Sequence, residues 1–444
     1  MANTYLTRTV ATTGDRTKAT LSVWVKKCSN AEQFIFYNYE SNTTNFRIRF
    51  NPEALQVETL SGSSVVGTLT TTRKFRDVGA FYHIVVAIDS TLATADDRMK
   101  IYVNGVQETA FDARTNPPQN QNMAFNESGH IQYIGSQVTS NYFNGCMSYY
   151  YWIDGIAYPA STFGSTDSTT GEWEINTSPS VTMGTNGFTI LKDGNTITDQ
   201  SSNSNNFTLG GGTLTKTEDS PSNGFCTMNP LDDFYTEHTF TNGNTTVIAP
   251  SSGYSGVIGA MGASTGKYYF EFKPISKTGD GNEYIVGIVA QPVVSVNQPQ
   301  SKMPTGYMYL GSNGYKYNDD TGTSYGDTFA AGDIIGVAMD LDNLKIYFSK
   351  NGAWQNSGNP ESGSTGTGAA FTLTAPSSTE IGFYLPCCSF FSNSAGATMA
   401  FNFGNGYFQT TAVSSAGTNA SGNGIFEYDT PTGYTALSTK GLNL

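Results

Sequence analysis

Two distant stretches of this chain carry the same pattern of strand, turn, strand and turn. Ile334–Trp354 reads IIGVAMDLDNLKIYFSKNGAW. Its apolar, β-branched run Ile334–Met339 leads into the turn cluster Asp340–Asn343. Leu344–Ser349 returns as a second strand, and Asn351-Gly352 opens the next turn. Ile84–Gly105 reads IVVAIDSTLATADDRMKIYVNG, with the same order of apolar strand, Asp, polar turn, Lys-Ile-Tyr and Asn-Gly. Lys100-Ile101-Tyr102 and Lys345-Ile346-Tyr347 hold matching places. The longer turn of the first copy is an insertion in a hairpin loop, where added length costs little. Such a chain is expected to fold as two β modules of related design.

Composition agrees. Charged residues make up only 13% of the 444 residues, and aromatics also 13%. Long amphipathic helices need charged helix formers in quantity. Short strands joined by Gly, Asn and Ser turns fit better. The net charge of −13 and the lack of a basic stripe argue against nucleic acid as a partner. No apolar run reaches the length of a membrane-spanning helix, so no membrane insertion is expected. MANTYLTRTV lacks a charged start followed by an apolar stretch, so no secretory signal is expected. The five cysteines are an odd number without a C-x-x-C or Cys/His ligand spacing. They are expected to be buried free thiols. Adjacent Cys387 and Cys388 fit disulfide geometry badly.

Along the chain, Thr20–Val25 alternates Leu21, Val23 and Val25 with Thr20, Ser22 and Trp24, a strand period. Phe46, Ile48 and Phe50 alternate with Arg47 and Arg49 in the same way. Further strands are expected at Phe34–Tyr39, Leu55–Leu60, Val65–Leu69, Phe81–Ile88, Ile131–Gly135 and Phe143–Ile153. The Ser/Thr/Gly-rich residues 164–186 read as a long loop of the first module. Phe188–Leu191 and Phe207–Leu209 would close it, and Asp219–Gly224 punctuates the boundary.

Residues 3–222 resemble the laminin-G-like, concanavalin-A-type jelly roll. The residues that carry the likeness are Tyr5–Thr9, TLSVWVKK at Thr20–Lys27, HIVVAID at His83–Asp89, MKIYVNG at Met99–Gly105, Ile134-Gly135-Ser136 and FNGCMSYYYWIDG at Phe143–Gly155. With Asn186-Gly187-Phe188 and Asp199–Phe207 following, the order resembles virion proteins of marine bacteriophages. Residues 235–405 resemble the SPRY domain. There the matching positions are Gly266, Lys267, Tyr269 and Glu271, then Gly287, Gly314, Gly332-Asp333, Gly336-Val337, Asp340 and Lys350-Asn351-Gly352. Ile381–Leu385 and Met399–Phe403 read as its closing strands. Both resemblances imply sandwiches, which accounts for the repeated hairpin. The expected fold is therefore all-β, with two concanavalin-like (jelly-roll) β-sandwich domains in tandem. Their bounds are 1–222 and 223–405, with a Gly/Ser/Thr-rich extension at 406–444. That extension would cross to a neighbouring subunit or pack as a coil.

Catalysis finds little support. Glu172-Trp173-Glu174 has the spacing of two same-face carboxylates, as glycosidases on this sandwich use, but lacks a third acid. Glu271 belongs to the SPRY strand pattern. His83, His130 and His238 have no local Ser or Cys partner pattern. The laminin-G likeness implies Ca²⁺ on loop carboxylates, for which Asp96-Asp97 and Asp319-Asp320 are the acid pairs. Acid pairs in turns also arise because Asp bonds its own backbone, so no cofactor is otherwise expected. Sugar recognition uses aromatic faces beside amides and carboxylates. The residues singled out as ligand contacts are Tyr309, Tyr315, Tyr317, Asp319, Asp320 and Trp354, with Tyr307, Tyr325 and Asn318 beside them.

The resemblances imply a virion component without enzymatic activity: a tail fibre, spike or capsid-surface appendage. Its partners would be other virion subunits and a host surface glycan, in a homo-oligomer with a trimer favoured. The competing readings are a purely structural subunit, a SPRY-type protein binder, and a polysaccharide depolymerase.

Overall fold

The computed structural model describes residues 3–192, 196–232, 237–250, 253–276, 283–291, 299–392 and 396–443. Among them are strands and short 3-10 turns, and no α-helix. Among the described residues no helix is long and apolar enough to cross a membrane. The chain divides into two compact units. The first holds Met1–Lys216 with Ser220–Ser222; the second holds Thr217–Asp219 with Asn223–Leu444.

The first unit is a two-sheet sandwich. One sheet has eight strands in the order Phe111–Thr115, Ser64–Lys74, Ala54–Ser61, Asn45–Asn51, Gln33–Tyr39, Ile131–Ile134, Tyr5–Thr9 and Thr208–Gly211. The other has six, from Phe188–Ile190 through Gly145–Asp154, Lys18–Lys27, Tyr82–Asp89 and Met99–Val103 to Val106–Gln107. Period-two alternation sends Leu21, Val23, Val25, Phe46, Ile48 and Phe50 into the core between them, where Trp152 stacks on Phe36 at 4.6 Å. Residues 156–183 cross the outer face of the six-stranded sheet and bury Phe163 against Tyr151.

Polar locks close this unit. The buried Asp154 carboxylate accepts from Asp15 N, Asn126 Nδ2 and Asn186 N, each at 2.9 Å. Trp152 Nε1 donates to Asn126 Oδ1 at 2.9 Å. Arg8 reaches Gln132, Asn186 and Asn205 from the end of its strand.

In the second unit one sheet runs Thr239–Thr241, Thr246–Ile248, Thr398–Asn402, Lys267–Ser276, Ile335–Asp340, Lys345–Lys350 and Ala353–Trp354, with Phe371–Thr372 and Thr435–Ala436 attached. The facing sheet runs Gly253–Ile258, Leu385–Ser392, Glu283–Val289, Gly306–Leu310, Tyr315–Asn318 and Thr321–Ser324. Three of these strands, between Thr239 and Ile258, were not expected from the sequence. The closing strand expected at Ile381–Leu385 begins at Leu385 instead; Ile381–Phe383 are bends. Pro386 sits at the second position of that strand, where a missing N–H does least harm to the ladder.

The repeated hairpins fold alike. Tyr82–Asp89 pairs with Met99–Val103, and Ile335–Asp340 with Lys345–Lys350. Each ends in an Asn-Gly turn with both residues at positive φ: 48° and 79° for Asn104 and Gly105, 48° and 81° for Asn351 and Gly352. In each, the Asn side chain accepts from the backbone N–H that opens the hairpin, His83 or Ile334, at 2.8 Å. Each glycine lies under an aromatic from a later segment. An added Cβ would stand 2.3 Å from Trp173 at Gly105 and 2.7 Å from Tyr428 at Gly352.

The segment 406–444 is a correction to the expected separate extension. Phe426, Tyr434, Ala436 and Leu437 join the core of the second unit. Thr435–Ala436 pairs in parallel with Lys267–Ser276. Low strand content hid this, because the segment docks through single aromatic residues and backbone contacts.

Candidate ligand-binding surfaces

Among the described residues, Glu172, Glu174, Glu271 and His83 are not brought together. The second unit's Glu271 is fully buried and serves the fold. Glu172 and Glu174 are exposed, Glu174 on the strand Trp173–Ile175, which pairs with Gly164–Thr166, and Glu172 just before it. His83 does meet a serine that sequence reasoning missed: Ser22 Oγ lies 2.9 Å from His83 Nε2. The other ring nitrogen, Nδ1, takes a hydrogen bond from Trp173 Nε1 at 2.9 Å. An indole N–H only donates, so Nδ1 is the acceptor and the ring proton sits on Nε2. His83 therefore donates to Ser22 and cannot accept its proton. The ring is sandwiched between Trp24 at 4.8 Å and Trp173 at 6.0 Å, and burial pushes its pKa down to about 3. His83 is expected to stay neutral from pH 8 down to 5 in an NMR titration, and an active-serine probe to leave Ser22 unlabelled. Its pH linkage runs one way. Below its ordinary value of 6.5 the unfolded chain takes up a proton that the folded ring refuses, so stability falls as pH drops from there toward 3.

No three His, Cys, Asp or Glu side chains gather as a metal site among the described residues. The acid pairs proposed for calcium have cationic neighbours instead. Asp96 pairs with Arg114 at 3.0 Å, Asp97 with Lys100 at 3.0 Å and Asp320 with Lys302 at 3.7 Å.

The ligand contacts expected in the second unit separate into different surroundings. Tyr309 is fully buried, ringed by Phe329 at 5.0 Å and Phe348 at 5.4 Å, with its hydroxyl on Asp327 O. It is a core residue, which corrects its assignment as a contact; period two along Gly306–Leu310 turns it inward beside Tyr307. Trp354 stands on the other sheet, edge-on to Tyr269 and Tyr347. Tyr315, Tyr317, Asp319 and Asp320 do come together, on the hairpin Tyr315–Asn318 and Thr321–Ser324 at the edge of the six-stranded sheet. Asp319 and Asp320 form its turn at φ of 50° and 58°. Tyr315 is 39% exposed. Tyr317 lies across Gly322 and accepts from Asn313 Nδ2 at 3.1 Å.

A second set of polar and aromatic groups lies on the outer side of the eight-stranded sheet of the first unit, where Phe34, Tyr37, Glu58, Tyr133 and Thr68 are buried and Arg47 and Arg49 keep part of their surface. Register alone aligns one residue per strand into a row: Thr208, Thr7, Tyr133, Tyr37, Arg47, Glu58, Thr68 and Thr115. A second row holds Phe34, Arg49, Gln56 and Thr70. Phe34 and Tyr37 meet at 5.4 Å, and Tyr37 and Tyr133 at 6.3 Å; Tyr5 and Tyr39 flank them. Arg47 pairs with Glu58, and Arg49 with Glu32 and with Gln56. The Arg49 guanidinium lies 5.5 Å over Phe34, and burial together with Arg47 lowers its pKa. Arg47 Nε and Thr68 Oγ1 are buried without a hydrogen-bond partner. The alternation of Arg47 and Arg49 with phenylalanines was the sequence signal for this face. Which strands lie beside it was not readable.

Comparison with known proteins matches this architecture. Residues 2–155 match the family model of the concanavalin A-like lectin/glucanases superfamily, and residues 267–406 match the SPRY domain model. Ran-binding protein 9 of Danio rerio is 40% identical over 92 residues, covering 20% of this chain and 15% of that protein. Ran-binding protein 9 of Homo sapiens is 39% identical over 92 residues, covering 20% of this chain and 12% of that protein. The chain thus spans less than a sixth of the length of these relatives. Among solved structures, the SPRY domain of human HERC1 is 20% identical with a TM-score of 0.30, covering 39% of this chain and 96% of that one. A SAP-like pentraxin from Limulus polyphemus is 15% identical with a TM-score of 0.27, covering 35% and 72%. The chain carries a concanavalin A-like domain followed by a SPRY domain, and both are β-sandwiches.

Proposed function

We propose that this protein is a non-enzymatic attachment subunit of a bacteriophage particle, and that the outer face of its eight-stranded sheet holds a host surface glycan. Arg47 and Arg49, which keep part of their surface on that face beside Glu58 and Glu32, carry the glycan reading. Guanidinium and carboxylate groups bond sugar hydroxyls at fixed spacing. The place on a particle is supported by the order of sequence motifs in residues 3–222. The absence of catalysis is supported by the tautomer of His83.

The test is retention on a panel of immobilised bacterial surface polysaccharides, with reducing ends assayed alongside and EDTA in a parallel set. Retention without released ends is expected, unchanged by EDTA. Arg47→Lys keeps the charge but loses the planar fork and is expected to weaken retention about tenfold, the cost of one charge-assisted hydrogen bond. Released ends would overturn the non-enzymatic reading.

A second reading has its own observation. The exposed Tyr315 hairpin of the SPRY unit offers an edge for a protein partner, and relatives similar to this chain over 92 residues are named for binding Ran. Polysaccharide retention unaffected by Arg47→Lys but abolished by Tyr315→Ala would move the site to that hairpin.

A further inference from the structure

The outer face of the nine-stranded sheet in the second unit already holds a peptide, and that peptide is the chain's own C-terminal segment. Tyr269, Glu271 and Asn402 lie side by side there. The Glu271 carboxylate accepts the backbone N–H groups of Glu427 and Tyr428, each at 3.0 Å. Asn402 Nδ2 donates to Ile425 O at 3.0 Å and to Glu271 Oε2 at 3.0 Å. Between these anchors the Phe426 ring meets Tyr269 edge-on at 5.0 Å. Farther along, Thr432 N donates to Glu361 Oε1 at 2.7 Å and Tyr434 Oη to Pro360 O at 3.0 Å. The sheet thus reads main-chain groups and a few aromatic side chains, as peptide-binding surfaces do.

The connection to this segment is exposed, and several of its hydrogen bonds run to the segment itself: Gly417 N donates to Phe426 O at 2.9 Å, Thr430 N to Thr418 O at 2.9 Å and Ser414 N to Glu427 Oε2 at 2.7 Å. No residue from 409 to 422 is buried, while Phe408 and Asn423 on either side are. Fully extended, a stretch of that length spans up to about 45 Å. Residues 406–444 contain no cysteine, so no disulfide ties the segment to its own unit.

We propose that the same face takes the C-terminal segment of a second copy, so that copies associate by exchanging residues 423–438. A second copy brings the identical segment, so every contact above is available between chains. Exchange keeps these contacts and requires the exposed connection to rearrange, including the pairing of Tyr407–Phe408 with Thr411–Ala412. This goes beyond glycan attachment and involves the other unit. Either can fail while the other stands.

The test uses two populations of the full chain, one Glu361→Cys and the other Thr432→Cys, mixed and incubated under oxidising conditions. A disulfide between these positions can then form only between chains. A dimer containing one of each is expected, its yield rising with protein concentration and dropping severalfold with Phe426→Ala in the Thr432→Cys chain. Glu361→Cys with Thr432→Cys in one chain checks that the pair can close. An intrachain link there with no mixed dimer at any concentration overturns the proposal. If neither link forms, light scattering of the unaltered chain decides. A monomer mass at the highest soluble concentration overturns it; a larger mass that falls to monomer with Phe426→Ala supports it.

Discussion

Glu271→Ala is expected to destabilise the second unit by about 3–5 kcal/mol, measured by denaturant unfolding, because it strands several buried donors at once. The lost acceptor serves two backbone N–H groups, Asn402 Nδ2 and the Tyr269 hydroxyl. Amide exchange at residues 427 and 428 reads the loss directly and should speed up before the rest of the unit opens. Protection at those amides equal to wild type would sink this account of the clamp.

The same carboxyl gives the unit a pH signature. Burial raises its pKa from 4.5 to about 7, against the lowering effect of its hydrogen bonds. Between those values the folded state holds a proton that the unfolded chain has released. The contribution of Glu271 is therefore most favourable below 4.5 and is lost as pH rises through about 7. The full span is on the order of 3 kcal/mol. Glu271→Gln, which cannot titrate, is expected to show a flatter fall in stability between pH 5 and 8. Parallel profiles for the two proteins would mean that Glu271 does not titrate in that range.

In the first unit the largest single-residue loss is expected at Asp154. Asp154→Ala leaves the N–H groups of Asp15 and Asn186 and the Asn126 amide without their acceptor, and should cost about 3 kcal/mol or more. Asn126 in turn holds Trp152 Nε1, so the loss reaches the centre of the core. Gly14→Ala attacks the same lock from outside, since its Cβ would stand 2.0 Å from Asp154 Oδ2. Urea unfolding of Asp154→Ala and Gly14→Ala should both lower the first transition while leaving that of the second unit in place. Equal shifts in both transitions would contradict this.

Much of the architecture was legible because it rests on local chemistry. Alternation along Thr20–Val25 and Phe46–Phe50 states which side chains face inward, since side chains in a strand point to opposite faces in turn. Asn104-Gly105 and Asn351-Gly352 state where hairpins reverse, since their turn needs positive φ at both residues. Tyr315, Tyr317, Asp319 and Asp320 were legible as a cluster, but not as the hairpin that holds them. Tyr309 was misread because a strand buried on both faces does not alternate, so composition gave no sign of which side met solvent.

The covering segments were the least legible. Residues 156–183 and 423–437 contribute Trp173, Phe426 and Tyr434 to faces that lie far away in the chain. Their sequences resemble linkers because isolated aromatics and backbone groups make the contacts. Equally, the row across the eight-stranded sheet joins residues from position 7 to position 208. It depends on which strands pair and in what register.

What the sequence by itself determined is therefore many of the strands, their inward faces, the Asn-Gly turns and the two-module design, all of which follow from the backbone preferences of near neighbours. What only the tertiary structure decided is the pairing order, the tautomer of His83, the clamp at Glu271 and the polar row. Each of those arises from groups brought together by long-range pairing, and no local propensity encodes which distant strand will lie alongside.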